Sequence, residues 1–493
     1  MHGKKYMSLI MTALILSGCN AGQETEEAEP IEEESVVPDI AEVKESTEES
    51  VEEPAETEEP VPELTAVQLE DIEGSPAYGI SMVMDEEGLF RMNVQVRVTN
   101  ETEEAWQDLG FHFVPNAFTE ENKPLFLEEP AIADIIGIKI EEEEVPYELD
   151  SGRLLLQLTE PLEPGAEQMV EAEYTLGLPE NGVRLSKVDG SFFLAHWYPM
   201  LGRYDEGWKI EDFNLKGESY ETGYGNYVIN YELPREFLVA SSAVDDETKP
   251  VSSGTVEGEQ IKDFYIAFMD PENWVKETTT ANDTELRIFM PAGSDYIDKV
   301  AISAENAFAF FEQKIGDNPA AQLDIIANNG AMEYPNIIEV RDAPDDFRST
   351  LVHEIGHQWF YYLVSNDPFS DAFLDEGLTE WASAMYLEEM GDAKGFELSE
   401  RLTESNSITE FANVRLDEFG EMDYYATVYG KVPLLLQEYF EANGGEEKAF
   451  EFLSAYYKEF KYEYVDAETF AVFFEEQLEG DQQEFLNSWL RLE

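Results

Sequence analysis

From about Leu64 to Pro271, apolar and polar residues alternate in short runs separated by turn chemistry. Phe90, Met92, Val94, Val96 and Val98 share one face of an extended segment that ends in an acidic turn at Asn100 to Glu103. Tyr227, Ile229, Tyr231 and Leu233 repeat the pattern ahead of Pro234. Alternation of period two buries one face of a strand, so this region is predicted to be an antiparallel β domain. Around Trp274 to Thr284 polar residues interrupt the pattern, and a helical period then replaces it. Ile297, Val300, Ala301, Ala304, Ala307, Phe308 and Phe311 form an apolar stripe, with Gly316 as its stop and Pro319 beyond. A strand is predicted at Leu323 to Ala327. A helix carrying His353 and His357 follows, with Asp345 and Asp346 in its first turn, where acids suit the positive end of the helix dipole. Another helix is predicted to start near Asp375. Phe396 to Glu493 reads as further helical stretches without an internal repeat, too short for a large C-terminal superhelix.

Composition sharpens this picture at the N-terminus. The chain has 493 residues, 43% of them hydrophobic, and a formal net charge of −78. That charge argues against electrostatically driven binding to nucleic acid or anionic lipid, and no nucleic-acid partner is expected. Lys4 and Lys5 precede the apolar run Leu9 to Leu16, which is too short to span a bilayer and ends in Leu16, Ser17, Gly18 and Cys19. Leu-Ser-Gly-Cys resembles the lipobox of bacterial lipoproteins, which implies lipidation of Cys19, an anchor in the membrane and an extracytoplasmic location. Cys19 is the single cysteine of the chain, so it forms no intramolecular disulfide. Gln23 to Glu63 is almost entirely Glu, Pro, Ser, Thr, Val and Ala. It buries too little apolar surface to fold and reads as an acidic tether. The expected organisation is a signal peptide over 1–19, a tether over 20–64, a β domain over 65–276 and a second folded domain over 277–493.

The candidate chemistry lies in His353-Glu354-Ile355-Gly356-His357 and in Leu374-Asp375-Glu376-Gly377. Histidines four apart on a helix project from one face and can reach a single zinc ion, with Glu376 as a third ligand. Glu354 lies between them, placed to act on a water as general base. The competing reading is two buried, hydrogen-bonded histidines on a core helix. His196, in the aromatic run Phe192 to Pro199, and His112, between Phe111 and Phe113, are read as satisfied core or domain-interface histidines.

Further motifs decide between these readings. Gly330-Ala331-Met332-Glu333-Tyr334-Pro335 comes directly off the predicted strand. With HEIGHQWF (353–360), the eighteen intervening residues 358–375, LDEGLTEW (374–381) and Tyr429-Gly430-Lys431, it resembles the gluzincin zinc aminopeptidases of the aminopeptidase N family. The similarity is strong over Gly330 to Lys431 and extends weakly back through Tyr198, Pro199, Met200 and Leu201. The resemblance implies a multidomain fold, with the β domain followed by a thermolysin-like α+β zinc catalytic domain that has a helical C-terminal part.

The resemblance also implies one zinc ion on His353, His357 and Glu376, and hydrolysis by a zinc-activated water with Glu354 as general base. Tyr429 would stabilise the oxyanion, and Tyr424 and Tyr425 are competitors for that role. Glu333 would hold the α-amine of a peptide with a free N-terminus, and Gly330, Ala331 and Met332 the substrate backbone. Glu380, one turn after Glu376, is read either as an acceptor orienting a ligand histidine or as a solvated surface acid. The chain departs from the family pattern at Tyr334, Asp375, Val432 and Pro433. The function expected is that of an aminopeptidase at the outer face of the membrane. A zinc metalloendopeptidase and a non-catalytic peptide-binding lipoprotein are the alternatives.

Overall fold

Strict alternation over residues 90 to 98 has the structural result that chain physics requires. In the computed structural model, Phe90, Met92, Val94, Val96 and Val98 are all buried, on a strand running from Leu89 to Thr99. The structure describes residues 64–492, apart from 65, 66, 68, 70, 71, 246, 247, 329, 346, 393, 394, 410 and 421. Cys19, the proposed signal peptide and nearly all of the tether therefore lie outside the described residues, as does Asp346.

The β domain is two sheets packed face to face. The larger has ten strands, with Leu89–Thr99 near its middle between Ala77–Met84 and Glu167–Gly177. The smaller has four and is built on Trp106–His112 and Arg153–Leu162. Val94, Val96, Ile138, Val170 and Ala172 from the first sheet meet Phe111, Leu154 and Leu156 from the second around a small internal space that Pro199 closes. The expected antiparallel arrangement is correct with one exception. Ala77–Met84 pairs in parallel with Gly225–Ser241, because these strands are distant in sequence and no hairpin dictates their direction.

The polar stretch from Trp274 corrects the sequence-based expectation of an interruption. Trp274–Ala281 is an edge strand, paired antiparallel with Thr284–Pro291. Between its buried ends its side chains are exposed or half-buried, so pairing and the β-branched run Thr278, Thr279 and Thr280 hold it without an alternating signal. These two strands open a five-stranded mixed sheet that continues with Gln322–Asn328 and Ile337–Arg341 and ends at the short edge strand Met332–Tyr334. Helix α1 (Ile297–Lys314) buries Val300, Ala304, Ala307, Phe308 and Phe311 as its stripe predicted.

Helix α2 (Phe347–Gly356) starts later than expected, and Asp345 falls in the turn ahead of it rather than in its first turn. Helix α3 (Leu378–Glu389) follows a π-helical turn at Phe373–Gly377. Between Glu397 and Leu486 the chain forms short helices, the longest being Gly445–Phe460. Aromatic residues from several of them, including Phe440, Phe452, Phe470, Phe474 and Trp489, interlock in one core. The described chain is thus a β domain followed by an α+β domain with a helical C-terminal part.

Candidate active site

Helix α2 ends at Gly356, yet His357 still follows the helical bond, its amide 3.3 Å from His353 O. The two imidazoles therefore lie one turn apart, edge to face, with ring centroids 4.7 Å apart. The π turn before α3 sends Glu376 toward them. Glu376 Oε2 lies 3.0 Å from His353 Nε2 and 3.1 Å from His357 Nε2, and the two nitrogens are 3.1 Å apart. Ligand atoms about 2 Å from a tetrahedral zinc ion stand roughly 3.3 Å apart, so the triangle has the size such an ion needs.

Two outer contacts settle which nitrogen faces the triangle. His353 Nδ1 is 3.0 Å from Glu380 Oε2, and His357 Nδ1 is 3.0 Å from Phe360 O. Carboxylate and carbonyl oxygens accept, so each Nδ1 carries a proton and each Nε2 presents a lone pair inward. Three electron-rich atoms at this spacing repel unless a cation lies among them. Without a metal, a proton between His353 and Glu376 supplies that positive charge. Burial would raise Glu376, but His357 and His353 outweigh it and hold the carboxyl below the usual range. Burial would lower His353, but Glu376 and Glu380 hold it well above. The donor set fits zinc.

The neighbouring carboxylates converge on the same point. Oxygens of Glu333 and Glu354 and a His357 nitrogen lie within 4.8 Å of one another. Both acids are buried, and Glu333 Oε1 and Glu354 Oε2 have no hydrogen-bond partner among the described residues. Burial pushes Glu354 up to about 8, with His353 opposing. Burial, then Glu218, Glu376 and Glu354, push Glu333 well above the usual range, with Arg184 opposing.

Glu333 owes its place to the edge strand Met332–Tyr334, whose partner is Ile337–Arg341. Gln358, next to the second histidine, ties this strand to the histidine segment. Its Nε2 donates to Tyr334 O at 3.0 Å, and its Oε1 accepts from Asn336 N at 2.9 Å. Gly330 passes so close to Glu339 and Asn328 that a Cβ there would lie 2.7 Å and 2.8 Å from their side-chain oxygens. Its amide already donates to Asn328 Oδ1 at 2.6 Å, which removes that amide from the backbone groups expected to meet a substrate. Ala331 and Met332 follow, and Met332 Sδ touches Arg184.

Tyr429 stands on a second π turn, Ala426–Lys431. Its ring stacks on His353 with centroids 5.7 Å apart, and its hydroxyl bonds with Glu376. The two π turns touch at Gly377, where a Cβ would come within 2.9 Å of Val432 Cγ1 and 3.3 Å of Val428 O. Tyr424 and Tyr425 pack around Tyr429, and Tyr429 is the member of the trio stacked on His353. Lys431 reaches Thr409 O at 3.4 Å and lies outside the cluster.

His196 differs from its prediction. It is buried as expected but not satisfied: neither ring nitrogen has a hydrogen-bond partner among the described residues, and the nearest acid oxygen, Asp263 Oδ1, is 4.0 Å away. Burial then pushes its pKa well below the usual value, so the ring stays neutral among Tyr220, Tyr334 and Arg184. His112 is likewise buried, with Nε2 unpartnered. Sequence reasoning missed Arg184 and Glu218, a buried ion pair from the β domain set beside Glu333. Nothing around either residue in the sequence marks it. Gln358 was legible only as part of HEIGHQWF.

Comparison with known proteins agrees with this geometry. Residues 323–489 match the peptidase family M1 domain. Aminopeptidase M1-A of Oryza sativa subsp. japonica is 26% identical over 251 residues, 44% of this chain and 28% of that protein. Aminopeptidase 2 of Candida albicans is 28% identical over 117 residues, 20% of this chain and 13% of that protein. The chain thus matches less than a third of the length of these relatives. Among solved structures, the M1 zinc metallopeptidase of Deinococcus radiodurans superimposes with a TM-score of 0.59 at 13% identity, over 84% of this chain and 92% of that one. A mutant of it bound to a Tyr-Ser-Ala substrate superimposes equally well, with 14% identity over the same shares. The described chain therefore has the fold of two-domain M1 zinc metallopeptidases, and its residues 323–489, which carry the whole histidine and carboxylate cluster, match the peptidase family M1 domain.

Proposed function

We propose that this protein is a zinc-dependent aminopeptidase that removes N-terminal residues from peptides. The observation that carries the reading is Glu333, a buried carboxylate with an unpartnered oxygen, on a sheet edge beside the histidine triangle. A buried carboxylate calls for a cation, and the ammonium of a peptide's N-terminus supplies one. An extended peptide laid along the edge strand, its amine at Glu333, then brings its first peptide bond to the triangle.

One zinc ion held by His353, His357 and Glu376 would supply Lewis-acid polarisation of the scissile carbonyl and a lowered water pKa. The chain's own residues do the rest. Glu354, buried beside the triangle with an unpartnered oxygen, is placed to take a proton from the attacking water and, once protonated, to pass it to the leaving amine. Burial keeps the Tyr429 hydroxyl protonated across the physiological range, so it remains a donor for the developing oxyanion. Glu380 holds His353 in the metal-binding tautomer. Placement at the outer face of the membrane through Cys19 is part of the same proposal and rests on the sequence of residues 1–63.

The test is zinc content measured together with turnover on a panel of amino-acid anilides. One equivalent of zinc and hydrolysis that stops on chelation support the reading. Full turnover in chelated, zinc-free protein contradicts it.

A further inference from the structure

Tyr361, four residues after His357, has a backbone φ of +120°. A bulky side chain at that angle crowds its own backbone, and the conformation persists only where the surroundings fix it. Here several contacts fix it. The Tyr361 hydroxyl donates to the Asp263 carboxylate. Lys262 Nζ lies 4.2 Å from the centre of the Tyr361 ring and 3.5 Å from its carbonyl oxygen. The ring itself meets His357 edge to face, centroids 6.3 Å apart. Lys262, Asp263 and Tyr361 are all buried.

Lys262 and Asp263 belong to the β domain, on the loop between strands Val251–Ile261 and Ile266–Met269. That loop is held in turn. Trp197 Nε1 donates to Phe264 O at 3.0 Å, Phe264 N donates to the Tyr198 hydroxyl at 3.0 Å, and Thr222 Oγ1 donates to Lys262 O at 2.9 Å. The β domain also grips the next residue, since the Tyr224 hydroxyl donates to Tyr362 O at 2.6 Å. The turn gripped in this way is the one that presents Phe360 O to His357 Nδ1.

We propose that Asp263 and Tyr361 are positioning residues: the β domain latches a strained turn whose Phe360 carbonyl sets the tautomer and orientation of His357, and so governs retention of the metal. The proposal rests on reading His353, His357 and Glu376 as zinc ligands. It makes the β domain part of the metal site's outer shell, with the aromatic segment Trp197 and Tyr198 as the base of the latch.

The experiment compares the full chain with Tyr361→Phe and Asp263→Leu, each loaded with zinc; leucine keeps the bulk and removes the acceptor. It reads the rate of zinc loss to a chromophoric chelator and the melting temperature with and without zinc. Each variant is expected to lose zinc about 10-fold faster, the low end of the range for a direct partner of a ligand histidine, because it acts through Phe360 O. The double variant is expected to be no worse than the worse single, because both break one bond. A merely structural role would lower the melting temperature of both forms equally and leave zinc release at the wild-type rate, and that result overturns the latch. If Tyr361→Phe does not fold, Asp263→Leu and Lys262→Met give the same readout. A wild-type chain that takes up no zinc overturns the underlying reading of the site as well. Zinc held by wild type and variants alike overturns the latch alone.

Discussion

Glu380 Oε2 lies 3.0 Å from His353 Nδ1, while Glu376 Oε2 lies 3.0 Å from the other nitrogen of the same ring. Two acids one turn apart on the same helical segment thus hold a single imidazole from both sides, and the outer one decides which nitrogen is free. Sequence alone left Glu380 open between this role and a solvated acid, and Glu380 is buried, which a solvated acid is not. Replacing Glu380 by Ala is expected to weaken zinc binding about 10- to 100-fold while the protein stays folded. Zinc affinity by chelator competition checks this, and an unchanged affinity contradicts it.

Glu354 and Tyr429 are expected to separate in steady-state kinetics. Glu354→Gln keeps the shape and removes the base, so kcat should fall about 10²- to 10⁴-fold with zinc still bound. Tyr429→Phe removes a donor to the oxyanion, for an expected loss of about 10²- to 10³-fold, carried by kcat with little change in KM. A Tyr429→Phe enzyme altered mainly in KM would place the hydroxyl in substrate binding instead.

The metal-free protein should lose stability as pH rises. Burial raises Glu218, Glu221 and Asp371 to about 7 and Glu354 to about 8, well above the ordinary carboxylate range. Each group binds its proton more tightly folded than unfolded. Its contribution is therefore fully present below about 4 and is lost as pH climbs through about 7 to 8. His353, raised by its acids, adds with the same sign; His112, His196 and His357, lowered by burial, oppose below about pH 7, and Glu376, held low, is ionised in both states across the range. Melting temperatures of chelated protein at pH 5, 6, 7 and 8 are expected to fall steadily, with a smaller fall when zinc is present. A rise across that range contradicts the account.

The fold was legible wherever a period was strong. Val94, Val96 and Val98 announced a strand, Phe308 and Phe311 a helix, and His353 with His357 two imidazoles on one helical face, because each signal is local. Trp274 to Ala281 escaped, since an exposed edge strand is held by pairing and leaves no alternation. Arg184, Glu218 and Asp263 escaped for a related reason. They come to the site from the β domain, and a single charged residue in an acidic chain carries no mark of the contact it will make. The strain at Tyr361 is invisible too, because nothing in a tyrosine foretells a positive φ.

The central claim is that Glu333 makes this enzyme require a free amine. The most direct measurement is kcat/KM for one peptide with a free N-terminus and for the same peptide N-acetylated, on zinc-loaded protein. The account predicts release of the first residue from the free peptide and a loss of at least about 10²-fold on acetylation, since a buried carboxylate is then left unpaired. Equal cleavage of both, or efficient cleavage at an internal bond of the acetylated peptide, would contradict it.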